Sequence, residues 1–178
     1  MAVVDTLSTE LTNLDADPRV LAEPQHWHGR LRVKTATLAV AAADDDASIY
    51  RFVRVKSSDS LKSIQIMCDT ITGATDYDCG LYTITSGGAA VDADLYGDGL
   101  NFEVETPAVP HVLATAPYIE ARFGDATTSN INDINNRIWE DLGLASNPGL
   151  EYDLCLTANT VGSGAGDLNM TLIYTSGD

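Results

Sequence analysis

The chain has 178 residues, enough for one domain with a real hydrophobic core, and 44% of them are hydrophobic. Ten basic residues face 26 acidic ones, giving a formal net charge of −16 and a pI near 4.2. That balance argues against nucleic acid or an anionic membrane as partner, because both would repel most of the surface, and the apolar content argues against an unfolded acidic chain.

Residues 1–30 read differently from the rest. Val4, Leu7, Leu11 and Leu14 recur at helical spacing, with Asp5 near the start, before Pro18 and Pro24 break regularity ahead of His26-Trp27-His28. The spacing predicts a short amphipathic helix within an N-terminal arm. Two histidines at i, i+2 with only His111 to join them make a poor zinc set, so a packed Trp27 is the better reading. The stretch has neither the basic nor the apolar segment of a secretory signal, and no apolar run is long enough to span a membrane.

Short strands follow. Leu31–Ala42 opens with Leu31 and Val33 inward, then shifts phase so that Leu38 and Val40 are inward, which predicts a bulge or a passage between sheets. Asp44–Asp46 is a charged turn. Ile49–Lys56 places Arg51, Val53 and Val55 on one face and Tyr50, Phe52, Arg54 and Lys56 on the other. Ser57–Ser60 turns the chain into Leu61–Cys68. Cys79–Thr85 and Ala89–Leu95 read as further strands around a glycine-rich turn, and Tyr118–Phe123 as a brief one. Three prolines make Thr106–Pro117 a surface loop or edge.

One helix is expected near Asn130, with Ile131, Ile134, Ile138 and Leu142 on its buried face, Trp139 beside them and Gly143 at its end. After Asn147-Pro148-Gly149, Leu150, Tyr152, Leu154 and Leu156 alternate with polar residues, and Leu168, Met170, Leu172 and Tyr174 do so again. About eight strands and no βαβ rhythm predict an all-β, jelly-roll-like β-sandwich over 31–178, with one short helix in a crossover and the arm at 1–30.

The charge is uneven. Arg30, Arg32, Lys34, Arg51, Arg54, Lys56 and Lys62 share one window, whereas from Ser63 onward only Arg122 and Arg137 are basic, against 17 acids. Either these are solvated strand faces, or the molecule docks through its first strands and shows an acidic end to solvent. Cys68, Cys79 and Cys155 are expected as buried free thiols, although Cys68 and Cys79 could face each other across neighbouring strands.

Little carries chemistry. Asp92, Asp94 and Asp98 with Gly97 and Glu103 follow part of an EF-hand loop, but Tyr96 and Leu100 stand where oxygen ligands are wanted and no helices flank it. This leaves a weak calcium candidate, and an Asp-rich loop joining strands is the better reading. The glycine-rich segments lack the lysine and helix of a phosphate cradle, and no nucleophile elbow or triad arrangement occurs. No enzyme activity and no cofactor are expected.

Three stretches carry a resemblance: SLKSIQIMCDTITGATDYDCGLYTITSGGAAVDADLY (Ser60–Tyr96), IWEDLGLASNPGLEYDLCLTA (Ile138–Ala158) and GAGDLNMTLIY (Gly164–Tyr174). Over residues 31–175 the pattern resembles the capsid cement, or decoration, proteins of short-tailed bacteriophages. The resemblance implies a jelly-roll-like domain that oligomerises, as a homodimer or homotrimer, on the outer capsid surface. There it would bridge subunits of the major capsid protein in a virion assembled in the host cytoplasm. Leu7, Leu11, Trp27, Arg30, Arg32, Arg51 and Arg54 are the candidate interface residues. The rival reading is a β-sandwich module that binds carbohydrate, with calcium at Asp92–Glu103; a tail or head-completion protein is a third.

Overall fold

Period-two alternation forms eight strands among the residues that the computed structural model describes, which are 12, 15–20, 29–84, 87–103, 119–120 and 131–177. They are β1 (Leu31–Val40), β2 (Ile49–Lys56), β3 (Ser60–Cys68), β4 (Asp76–Thr83), β5 (Ala90–Leu100), β6 (Ile119–Glu120), β7 (Glu151–Thr160) and β8 (Gly166–Thr175). The expected helix in residues 1–14 and the loop at Thr106–Pro117 lie outside the described residues.

Two four-stranded antiparallel sheets result, in the orders β1-β8-β3-β6 and β2-β7-β4-β5. The first strand pairs with the last, the second with the second-last, and so on inward to the β4–β5 hairpin. The chain is therefore one long antiparallel ribbon, rolled up so that β3 also pairs with β8 and β4 with β7. That nesting is the jelly-roll arrangement of an all-β sandwich. Between the sheets, Leu61, Ile64, Ile66, Leu168, Met170 and Leu172 meet Tyr77, Leu81, Leu154 and Leu156, all shielded from solvent. Phe102 closes one end, its ring 4.9 Å from that of Tyr77 in edge contact.

The inward positions of β7 and β8 follow the alternation read from the sequence, with Tyr152, Leu154, Leu156, Leu168, Met170, Leu172 and Tyr174 buried, but Leu150 lies before β7 and is exposed, and Asp153 and Cys155 are buried on the strand's other face. Four expectations are corrected. First, β1 holds one phase along its whole length: its register with β8 is unbroken, Lys34, Ala36, Leu38 and Val40 turn inward, and Leu31 and Val33 face out. The irregularity sits in β2, where the register with β7 slips between Arg51 and Val53. Phe52 is the extra residue, so Arg51 and Arg54 share the outer face although their spacing in sequence puts them on opposite ones.

Second, the helix expected from Asn130 to Leu142 is broken. A 3₁₀ turn at Ile131–Asn135 and a single turn of helix, α1 (Ile138–Asp141), replace it. The β2–β3 turn takes the bonds that a continuous helix would make internally. Ile138 N–H donates to the Asp59 carbonyl at 2.9 Å, Trp139 N–H to that of Ser57 at 3.1 Å, and Ser60 Oγ–H to that of Asn136 at 2.8 Å. Gly143, at φ +66°, ends α1 as a left-handed residue.

Third, Cys68 and Cys79 lie on β3 and β4, which belong to different sheets, so they do not face each other on neighbouring strands. All three cysteines are free and buried. Fourth, the Asp92–Asp98 segment is strand β5 rather than a loop. Its pairing with β4 is irregular: Cys79 faces Gly97 but Leu81 faces Asp92, so β5 carries extra residues between those points.

Candidate functional site

The first strand of each sheet is an edge, and β1 and β2 run beside each other where the two sheets open. A cleft of about 350 Å³ lies between them, lined by Arg32, Lys34, Arg54, Lys56, Glu151 and Tyr174 among others. Four of the chain's ten basic residues thus converge on one opening of a molecule with net charge −16. The inward phase of β1 delivers Arg32 and Lys34, and the Phe52 bulge and the strand's end deliver Arg54 and Lys56.

The cleft is built, and each wall has its anchors. The Lys34 ammonium donates to the backbone carbonyl of Arg54, joining the two sheets, and sits 5.0 Å from the centre of the Tyr174 ring. Arg54 Nε donates to Asp153 Oδ1 at 2.9 Å, and this carboxylate raises the guanidinium's affinity for its proton. The acid Asp59 at the cleft floor is occupied by backbone: it accepts from Lys56 N–H at 3.0 Å and Gly177 N–H at 3.4 Å.

Arg51 has a different task. It binds Asp153 Oδ2 at 3.2 Å and donates to the carbonyls of Thr83 at 2.8 Å and Gly88 at 3.0 Å, with its guanidinium over the Tyr82 ring. Arg54 Nη2 donates to the Ile84 carbonyl at 3.2 Å. Both arginines therefore fasten the β4–β5 connection to the outer face of the second sheet. Asp153, 8% exposed, is the residue that organises them, and the sequence signalled it only as an acid at an outward position of β7. Arg30 is exposed just before β1, while Leu7, Leu11 and Trp27, with His26, His28 and His111, lie outside the described residues.

The calcium candidates are dispersed. Asp92 and Asp94 lie in the middle of β5, where burial and the Asp94 carboxyl push Asp92 up from the usual carboxylate range. Glu103 accepts a hydrogen bond from Gly73 N–H at 3.1 Å. Asp98 meets Asp76 and Asp78, their carboxylate oxygens within 4.8 Å of one another. The Asn159 amide donates to Asp78 at 2.8 Å, and the hydrogen bond with Asp78 raises the affinity of Asp98 for a proton. The basic cleft and this acidic group lie toward opposite edges of the second sheet, β2 and β5.

Cys79 and Cys155 are not poised for chemistry. Burial pushes the Cys155 thiol up to about 12 and the Cys79 thiol higher still, so neither carries thiolate near neutral pH. No helix among the described residues is long and apolar enough to cross a membrane.

No protein-family model matches the chain, and no curated protein matches it. Among solved structures, a chain of the cyanophage Pam1 capsid asymmetric unit is similar at 13% identity and a TM-score of 0.49, over 91% of this chain and 96% of that one.

Proposed function

We propose that this chain is a structural virion protein, a cement or decoration protein that binds the outer surface of a phage capsid and bridges subunits of the major capsid protein. The observation that carries the reading is the basic cleft between β1 and β2. A molecule this acidic keeps to itself unless it meets a partner where its charge reverses, and the cleft is such a place. The cognate patch on the capsid subunit is acidic: carboxylates that pair with Arg32, Lys56 and the exposed side of Arg54.

The sequence resemblance over residues 31–175 supports the same reading. So does the architecture, a sandwich whose strands are pinned by an Arg–Asp–Arg bridge and a cross-sheet lysine, which suits mechanical bracing. Modest contacts repeated over many copies then resist internal pressure through multivalency. The residues 1–30 extend the grip, with Leu7, Leu11 and Trp27 as its apolar part. The protein assembles in the host cytoplasm and works without a cofactor, with its acidic edge toward solvent.

The test is sedimentation of phage heads lacking the protein after mixing with the purified full chain. Saturable co-sedimentation at a fixed ratio to capsid protein is expected, weakened by salt, by Arg32→Glu and by Lys56→Glu. Absence of co-sedimentation overturns the proposal. Binding that ignores both charge reversals overturns the cleft as its grip.

A further inference from the structure

Among the described residues, the outer face formed by β1, β8 and β3 stands out from the acidic composition of the chain. From Leu31 to Thr37 on β1, Asn169 to Ile173 on β8 and Ser63 to Met67 on β3, the outward positions hold no ionisable side chain; ionisable residues border this patch, Glu120 pairing with Gln65 on the edge strand β6 and Lys62 and Asp167 lying just beyond the windows. Register aligns the outward positions in rows across the strands. Val33 stands beside Ile173, and Thr35 beside Thr171 and then Gln65. At the top of the face Leu31 is 63% exposed and Val33 62%, the two most exposed large apolar side chains among the described residues.

We propose that this face is where two copies of the chain associate, across a two-fold axis. Copies carrying −16 each repel over most of their surfaces, and an uncharged face removes that repulsion where they touch. A partner with a charged patch would find no counter-charge here, whereas a second copy brings a face as neutral as its own. Hydroxyl and amide groups both donate and accept, so rows of Thr, Asn and Gln can pair with themselves as an isologous contact requires.

The rows are also held in place before any contact. Asn169 Nδ2 donates to Thr37 Oγ1 at 2.8 Å, and the Thr35 and Thr171 hydroxyls lie 3.3 Å apart. Less side-chain freedom is then lost on association. Burying Leu31 and Val33 supplies the apolar part. The strand β1 thus has two working sides, even-numbered residues lining the cleft and odd-numbered ones the neutral face. This inference adds an association between copies to the proposed function and needs no capsid, so failure of head binding leaves it standing.

Sedimentation velocity of the full chain, over a range of concentrations at low and high salt, tests it. A dimer is expected whose association strengthens as salt screens the net charge. Val33→Glu should weaken association about tenfold or more, because an apolar contact is lost and two like charges are brought together. Thr35→Asp should do the same at a second exposed position, and Val91→Glu on β5 should change nothing. Circular dichroism confirms that each variant folds. A monomer at every concentration and salt overturns the proposal, as does an oligomer that both Val33→Glu and Thr35→Asp leave intact.

Discussion

Arg51 and Arg54 bind the two oxygens of one carboxylate, that of Asp153, at 3.2 and 2.9 Å. Three residues apart in sequence, they reach it together because the β2 bulge returns both to the outer face. The bridge is largely dry at Asp153 and wet at Arg54, whose side chain is half exposed. Asp153→Ala should therefore cost about 1–3 kcal/mol, less than a fully buried pair would, because solvent still screens Arg54. Urea titration should show a lower midpoint with an unchanged slope. Arg51→Ala should cost more than Arg54→Ala, since Arg51 also holds the Thr83 and Gly88 carbonyls. Equal effects would mean that the two carbonyls held by Arg51 contribute no more than the one, Ile84, held by Arg54.

The broken helix makes a sharper test. A continuous helix would bury Ile134 and Ile138 on one face, but Ile138 is fully buried and Ile134 is 43% exposed. Ile138→Ala should cost about 2–5 kcal/mol by opening a cavity, and Ile134→Ala less than about 0.5 kcal/mol. Ser60→Ala should cost about 1–2 kcal/mol, because the Asn136 carbonyl at 2.8 Å loses its donor. Thermal or urea unfolding of the three variants decides it. Comparable losses at Ile134 and Ile138 would contradict the break.

These elements also mark where the sequence could be read and where it could not. The strands β7 and β8 were legible because their inward positions, Tyr152, Leu154, Leu156, Leu168, Met170, Leu172 and Tyr174, are all apolar and keep to one period of two, even though Ile173 faces out. In β1 the apolar Leu31 and Val33 point outward, so a pattern that equates apolar with buried inserts a bulge that is not there. In β2 the real bulge is invisible, since Phe52 is apolar on either side of it. The helix signal near Ile138 was genuine, but partners distant in sequence, Ser57, Asp59 and Ser60, claimed its backbone bonds. The basic window put Arg32 and Arg54 in one stretch of sequence, but their meeting across the edges of two different sheets was not written in it. Asp153 and the meeting of Asp76, Asp78 and Asp98 depend on strand order, which local pattern does not encode.

Gly80 shows how closely β4 and β5 approach. A Cβ there would lie 2.2 Å from the Asp92 carbonyl oxygen and 2.3 Å from the Ala93 carbonyl carbon. These are backbone atoms, which cannot swing aside as a side chain would. Gly80→Ala should therefore destabilise by about 3 kcal/mol, at the upper end for overpacking. The β5 segment from Asp92 to Leu95 should lose protection first in hydrogen exchange. Gly97→Ala is a milder control, because its Cβ would meet the Leu100 side chain at 3.3 Å, and that side chain can move. Similar losses at the two glycines would show that β5 yields more readily than this packing implies.

The Asp98 carboxyl should give the fold a pH dependence of unusual sign. Most paired carboxylates have a lowered proton affinity and lose stability as pH falls. Here the hydrogen bond and charge of Asp78 raise the pKa of Asp98, with Asp94 and Asp76 adding to it. A carboxyl whose folded pKa exceeds its unfolded value favours the protonated fold. Its penalty is present above the folded pKa and is relieved as pH falls through that value. Asp98→Asn should thus raise the melting temperature at neutral pH, and the gain should shrink as the buffer is taken down into the carboxylate range. Melting curves of wild type and variant across that range, with and without calcium chloride, test it. A variant less stable than wild type at neutral pH would contradict the repulsion. A calcium-dependent rise seen in wild type and lost in Asp98→Asn would give the three carboxylates a ligand.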